Sequence, residues 1–69
     1  MKTITGQFDT LGQAKNAHED LIDTGIPAEK VYLDRDAFSV KVMMPDATAS
    51  EVKEILGRHQ PKAIEAHDS

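Results

Sequence analysis

The chain has 69 residues, no cysteine and a formal net charge of −4. A chain of this length forms a single domain, residues 1–69, with one thin core and no deep substrate cavity, and without cysteine it has neither disulfides nor thiolate metal sites. The acidic balance disfavours binding to nucleic acid, and no apolar run approaches the roughly 20 residues that span a bilayer.

The first predicted element is a strand, because apolar and polar residues alternate in the segment KTITGQF. The alternation defines two faces, with Ile4, Gly6 and Phe8 on the side predicted to be buried and Thr3, Thr5 and Gln7 on the other. The start of the chain, MKTITGQF, lacks the apolar region of a secretory signal, so we expect a cytoplasmic protein.

A helix is predicted to follow Thr10 and to run to about Thr24. Thr10 and Gln13 have the spacing of a capping box, in which each side chain satisfies a free backbone amide. Gly25 suits the left-handed position that ends a helix, and Pro27 prevents continuation. The residues at helical spacing that form the apolar stripe are Leu11, Ala14, His18, Leu21 and Ile22.

Two further strands, in EKVYLD and AFSVKVMM, are predicted to form a hairpin across the turn DRDA. Asp34 and Asp36 flank that turn, where aspartate is favoured for its local hydrogen bonds. The face expected to be buried carries Phe38, Val40, Val42 and Met44, joined by Val31 and Leu33. The opposite face is expected to carry Tyr32, Ser39, Lys41 and Met43.

A second helix and a fourth strand complete the predicted elements. Pro45 breaks the preceding strand, and Thr48 has capping-box spacing to Glu51, so the helix is expected to begin near Thr48. Its apolar stripe consists of Val52, Ile55, Leu56 and His59. The short alternating segment KAIEAH predicts a last strand with Ile64 and Ala66 on one side.

The order β-α-β-β-α-β, with one apolar stripe on each helix, predicts an α+β fold in which both helices cover the same sheet face. Right-handed crossovers and short connections leave one common arrangement, the two-layer ferredoxin-like sandwich. Its antiparallel sheet has the order 4-1-3-2. The other face of that sheet is left uncovered.

The segment GQFDTLGQAKNAHEDLIDTGIPAEKVYL resembles the opening of the general stress protein 17M-like domains of bacteria, which have a strand, Phe-Asp, a helix rich in alanine and glutamate, a glycine and a second strand. FSVKVMMPDATASEVKEILGRHQPKAIEAHD is similar to their second half. The resemblance implies a stress-associated domain with no catalytic residues to carry over. His18 departs from the usual aliphatic residue, and Gln60 stands where a glycine is expected after the second helix.

Three histidines, His18, His59 and His67, are the candidate ligands of a metal site. The predicted fold disfavours such a site, because His59 ends the second helix and His67 ends the last strand, near opposite ends of the domain. We expect a packing role for His18 and a helix-terminal role for His59, where the helix dipole favours a charged imidazole. No metal or other cofactor is predicted.

Three other functions that this fold can serve are also disfavoured. Copper chaperones need a CxxC pair in the first loop, which here reads FDTLGQ. RNA-recognition domains present stacking aromatic residues, whereas Tyr32 is the one aromatic residue on the predicted open face. Glu19 and Asp20 are expected on an exposed helix face, and Asp34 and Asp36 flank the hairpin turn. Neither carboxylate pair has a predicted pocket to desolvate it, so no enzyme activity is expected.

The uncovered sheet face is the remaining candidate for function. Its threonines and lysine suit water, but Met43 and Tyr32 add a moderately apolar patch. The residues assigned to this candidate interaction face are Thr3, Thr5, Tyr32, Lys41 and Met43. We predict a non-enzymatic interaction module that forms a homodimer or docks a protein partner there. The alternative is an ACT-like domain, a small-molecule sensor of the same topology, which Gly12 in the first loop favours.

Overall fold

The computed structural model describes residues 2–44 and 49–68 of the chain. The elements follow the predicted order: β1 (Lys2–Gln7), α1 (Leu11–Thr24), a 3₁₀ helix (Ala28–Lys30), β2 (Val31–Asp34), β3 (Ser39–Met44), α2 (Ala49–Gly57) and β4 (Ala63–Asp68). The predicted strand break at Pro45, the predicted cap at Thr48 and the position of the Met44 side chain lie outside the described residues. No helix in the described ranges has the length and apolarity needed to cross a membrane.

The four strands form one antiparallel sheet in the order β2-β3-β1-β4, which is the predicted order 4-1-3-2 counted from the other edge. The central strand β1 pairs on both sides, so Ile4 lies opposite Val42 of β3 and opposite Ala66 of β4. The ferredoxin-like α+β prediction is confirmed. Because side chains alternate along a strand, this register directs Ile4, Val40 and Val42 to one face of the sheet.

The core lies between that face and the two helices. Its largest fully buried side chains are Phe8, Ile4, Leu21, Leu56, Val40, Val42 and Val52. Gly6 brings β1 close to α2, because a Cβ atom there would lie 3.2 Å from Cδ2 of Leu56 and 3.3 Å from Cε2 of Phe8. The predicted stripe of α1 missed Ala17, which is fully buried, whereas His18 is only half-buried.

The first turn of α1 is capped at the predicted residue. The backbone amide of Gln13 donates to the Thr10 hydroxyl at 3.2 Å, and that hydroxyl donates to Oε1 of Gln13 at 3.1 Å. The Gln13 amide nitrogen Nε2 also donates to the carbonyl of His59 at 3.3 Å, so this residue joins the start of α1 to the segment after α2.

The end of α1 also has the predicted geometry. Gly25 has φ 118°, in the left-handed region that glycine adopts without a steric penalty. Its amide donates to the carbonyl of Ile22 at 3.0 Å, and the amide of Ile26 donates to the carbonyl of Leu21 at 3.2 Å. These two bonds satisfy carbonyls that the helix end leaves free.

The hairpin between β2 and β3 corrects one prediction. Phe38 was expected inside the strand on the buried face, but it is 36% exposed and closes the turn with φ 53°. Its carbonyl accepts the amide of Phe8 at 2.9 Å, which fixes the turn against the end of β1. Asp34 has the predicted turn role, because its Oδ1 accepts the amides of Asp36 at 3.0 Å and Ala37 at 3.1 Å.

The connection from α2 to β4 contains the second non-glycine residue, after Phe38, that has a left-handed backbone conformation. The helix ends at Gly57, so His59 lies in the turn that follows and not within the helix. Gln60 has φ 57° at the position where the resembled family has glycine. The weakly patterned β4 is a full strand, yet its Ile64 remains 36% exposed because β4 is at the edge of the sheet.

Candidate interaction face

The sheet face opposite the helices, called the open face below, carries all five residues predicted for interaction. Strand pairing places these side chains in rows that cross the sheet. One row contains Tyr32, Lys41, Thr5 and Glu65, and the next contains Met43, Thr3 and His67. The sequence alternation therefore identified one continuous surface.

The five residues differ in how much they expose. Tyr32 is 65% exposed and Met43 is 48% exposed, which is high for large apolar side chains in a structured region. Thr5 is only 8% exposed, because it lies on the central strand between the longer side chains of Lys41 and Glu65. Tyr32, Lys41 and Met43 are therefore available for contact, whereas Thr5 fills the space beneath them.

A cleft of about 330 Å³ opens on this face, near the lower end of the usual range for ligand pockets. Carbon atoms make up most of its wall. The lining residues are Thr3, Glu29, Lys30, Tyr32, Lys41 and Met43. Four of the five predicted residues line it, and Gly12, which favoured a sensor of small molecules, does not.

Glu29 and Lys30 are the members of the cleft that sequence reasoning missed. They were assigned to the start of a strand, but they belong to the 3₁₀ helix and β2 begins only at Val31. The available signal was Pro27, whose fixed φ starts a helical turn readily when good helix formers follow it. The turn is closed by the Lys30 amide, which donates to the Pro27 carbonyl at 2.9 Å.

The ammonium groups of Lys30 and Lys41 form no ion pair or hydrogen bond with another described residue. At the other edge of the same face, the Glu65 carboxylate lies 3.5 Å from the His67 imidazole, with both side chains more than half exposed. The open face thus combines an apolar centre with charged groups, of which Lys30 and Lys41 are unpaired among the described residues.

The residues that line the cleft include none of the three candidate histidines and none of the two predicted carboxylate pairs. His59 Nε2 lies 2.9 Å from Oδ2 of Asp20, and the side chains are 23% and 32% exposed. This bond corrects the expectation that Asp20 points from an exposed helix face. Of the described residues, no group of three or more His, Cys, Asp or Glu side chains is placed to hold a metal ion.

The signal for the His59–Asp20 contact is absent from local patterns, because the two residues are 39 positions apart. It becomes visible only once both helices are laid on the sheet. The contact joins α1 to the segment after α2, and neither residue lines the cleft.

Comparison of the chain with family models, curated proteins and solved structures finds no match. The likeness to general stress protein 17M-like domains stays a prediction. The geometry of the open face is therefore the basis for inferring what this chain binds.

Proposed function

We propose that this chain is a non-enzymatic interaction module whose open face docks against a protein surface. The observation that carries the proposal is the exposure of Tyr32 and Met43, at 65% and 48%, around one cleft. Tyrosine and methionine are enriched in protein–protein interfaces, where covering them removes apolar area from water.

Tyr32 and Met43 lie among polar residues that suit water, whereas burying these two apolar side chains against another surface would be favourable. Their position therefore supports docking over a face that only contacts solvent. The remaining open-face residues of β1 and β3 are Thr3, Thr5, Gln7, Ser39 and Lys41, which are compatible with water. Met43 contributes nothing to the core, which is closed on the opposite face. The resemblance to general stress protein 17M-like domains is the reason for placing this binding in a bacterial stress response, in the cytoplasm.

Sedimentation equilibrium over a wide concentration range tests the proposal for self-association, and capture of a purified partner tests it for a second chain. We expect Met43→Lys to abolish the complex, because it introduces a charge at the apolar centre. Asn16→Lys is the matched control, since it adds the same charge on an exposed position of α1. Equal binding by wild type and Met43→Lys would remove the open face from consideration.

A second candidate function is the sensing of a small molecule, which the cleft itself favours. Its apolar wall and the ammonium groups of Lys30 and Lys41, which pair with no described residue, suit an organic anion of modest size. A thermal-shift screen of organic anions then gives a rise in melting temperature that Lys41→Gln removes and Lys53→Gln on α2 leaves intact. No rise with any anion eliminates this candidate while leaving the docking proposal unaffected.

A further inference from the structure

Lys41 is the one charged side chain that β1 and β3, the two central strands, present on the open face. It lines the cleft and forms no ion pair with a described residue. A docked surface would remove its ammonium group from water, and a buried unpaired charge is strongly unfavourable. Whatever covers this face must therefore bring an acceptor to Lys41.

The chain carries such an acceptor in the same row of the sheet. Glu65 on β4 lies two strands away from Lys41, with Thr5 between them. At a strand spacing of about 4.8 Å, the two backbones are roughly 10 Å apart, and the Lys41 and Glu65 side chains form no ion pair with each other within one copy. The exposed Glu65 carboxylate lies 3.5 Å from the His67 imidazole.

We propose, building on the docking function above, that the occupant of the open face is a second copy of this chain, related by a two-fold axis that runs parallel to the strands. This axis places β3 of one copy over β1 of the other, and β2 over β4. Lys41 then approaches Glu65 of the second copy, and the reciprocal pair forms on the other side of the axis. Met43 lies against Thr3 of the second copy.

The same arrangement fills the cleft. Because β2 lies over β4 of the second copy, Glu65 of that copy enters between Lys30 and Lys41, and its His67 comes near Glu29. Tyr32 is covered at the same time. In this arrangement Lys30 and Lys41 meet the carboxylate of Glu65 from the second copy, and Glu29 meets its His67 imidazole.

The other face-to-face arrangement lacks this complementarity. A two-fold axis across the strands would place β3 over β3 and bring Lys41 towards Lys41 of the second copy. Like charges in that position oppose association. Pairing through the β4 edge would leave Tyr32, Met43 and the cleft in water, so it does not use the exposed apolar groups.

The size of the face sets the expected affinity. Three strands of six residues and one of four give a footprint of at most about 19 Å by about 20 Å. This is below the usual size of stable protein–protein interfaces, so we expect a dimer that dissociates at micromolar or higher concentration. The test must therefore cover concentrations up to about the millimolar range.

The experiment reverses the charge of Lys41, of Glu65 or of both, and sedimentation equilibrium measures the dissociation constant of the dimer. Lys41→Glu and Glu65→Lys are each expected to weaken the dimer by at least about tenfold, because each places two like charges face to face. The double variant Lys41→Glu/Glu65→Lys restores the opposite pairing and is expected to return to within about threefold of wild type. Lys53→Glu and Glu51→Lys on α2 are the controls and leave dimerisation unchanged.

Every result decides the inference. Restoration by the double variant supports it, whereas a double variant as weak as either single variant overturns it. If Met43→Lys dissociates the dimer but the charge reversals leave its dissociation constant unchanged, the inference is also overturned, while the docking function stands. A wild-type chain that stays monomeric up to about the millimolar range overturns the inference, and the docking function then depends on a different partner. Circular dichroism of each variant confirms that the fold is intact.

Discussion

The two faces of the sheet are built from the same strands and have opposite surroundings. On β3, Val40 and Val42 are fully buried under the helices, while Met43 between Val42 and the strand end is 48% exposed. Nothing in the backbone distinguishes these positions, since they alternate along one ladder. The difference teaches that the layer opposite each face, and not the strand itself, determines whether a side chain serves stability or binding.

This separation makes the comparison experimentally sharp. Substitutions on the covered face are expected to lower the free energy of unfolding and to affect binding only through it. Substitutions at Tyr32, Lys41 or Met43 are expected to change association while leaving the monomer intact, because surface positions usually alter stability by less than about 0.5 kcal/mol.

The largest expected effect on stability comes from Leu56→Ala on the covered face. Leu56 is fully buried between α2 and β1, so its truncation should lower the free energy of unfolding by about 2–5 kcal/mol. The free energy of unfolding of a domain is of the order of 0.05–0.15 kcal/mol per residue, so this loss is a large part of the total. Urea unfolding followed by circular dichroism measures it. Met43→Ala is the open-face control, and an equal loss from both variants would erase the distinction between the faces.

Gly6→Val tests how closely α2 approaches the covered face. Added side-chain atoms would press on Leu56 and Phe8, and overpacking of this kind costs about 1–3 kcal/mol. Gly12→Ala is the matched glycine control, because the nearest atom to a Cβ there is 3.9 Å away and alanine favours the helix. A Gly6→Val protein that unfolds at the wild-type urea concentration would show that the helix layer is looser than described.

Removing the contact between His59 and Asp20 tests how α1 is held to the segment after α2. His59→Ala should lower the free energy of unfolding by about 0.5–1.5 kcal/mol, since it removes a half-buried hydrogen bond. The double variant with Asp20→Ala should lose less than the sum of the single losses. Arg58→Ala serves as control, because its 3.6 Å pair with Glu54 is largely exposed and such pairs contribute little. Strict additivity in the cycle would mean that the two groups do not interact.

The smallest expected effect is a gain in stability from Gln60→Gly, in the connection between α2 and β4. Gln60 has φ 57°, a conformation that costs a residue with a side chain about 1–2 kcal/mol. Glycine avoids this cost, but its more flexible unfolded chain offsets part of the gain in stability. We expect the free energy of unfolding to rise by about 0.5–1 kcal/mol, seen as a higher melting temperature. Lys62→Gly nearby should have the opposite effect, and a loss from both substitutions would contradict the assigned backbone conformation.

Local chemistry predicted much of this structure. Period-two alternation separated Ile4 from Thr3, and the Thr10 and Gly25 signals fixed both ends of α1 to the residue. These features depend on neighbours within four positions, so the sequence contains them directly. The resulting alternation also placed Tyr32 and Met43 on the face that proved to be uncovered.

What escaped prediction depends on contacts between distant segments. Phe38 leaves the core because its carbonyl is held by the amide of Phe8, 30 positions earlier. The bond between His59 and Asp20 requires both helices to be in place. Lys30 enters the cleft because a 3₁₀ turn replaces the start of β2. For Lys30 the local signal was Pro27, whereas no pattern within a short window specifies the other two arrangements.

The central claim, that binding belongs to the open face, is tested most directly by amide chemical shifts recorded across a dilution series of the isotopically labelled chain. We predict concentration-dependent shifts for residues of β1, β2 and β3 around the cleft, largest near Thr3, Lys41 and Met43, with α1 and α2 unchanged. Shifts confined to the helices, or spectra that stay identical at every concentration and on addition of a captured partner, would contradict it.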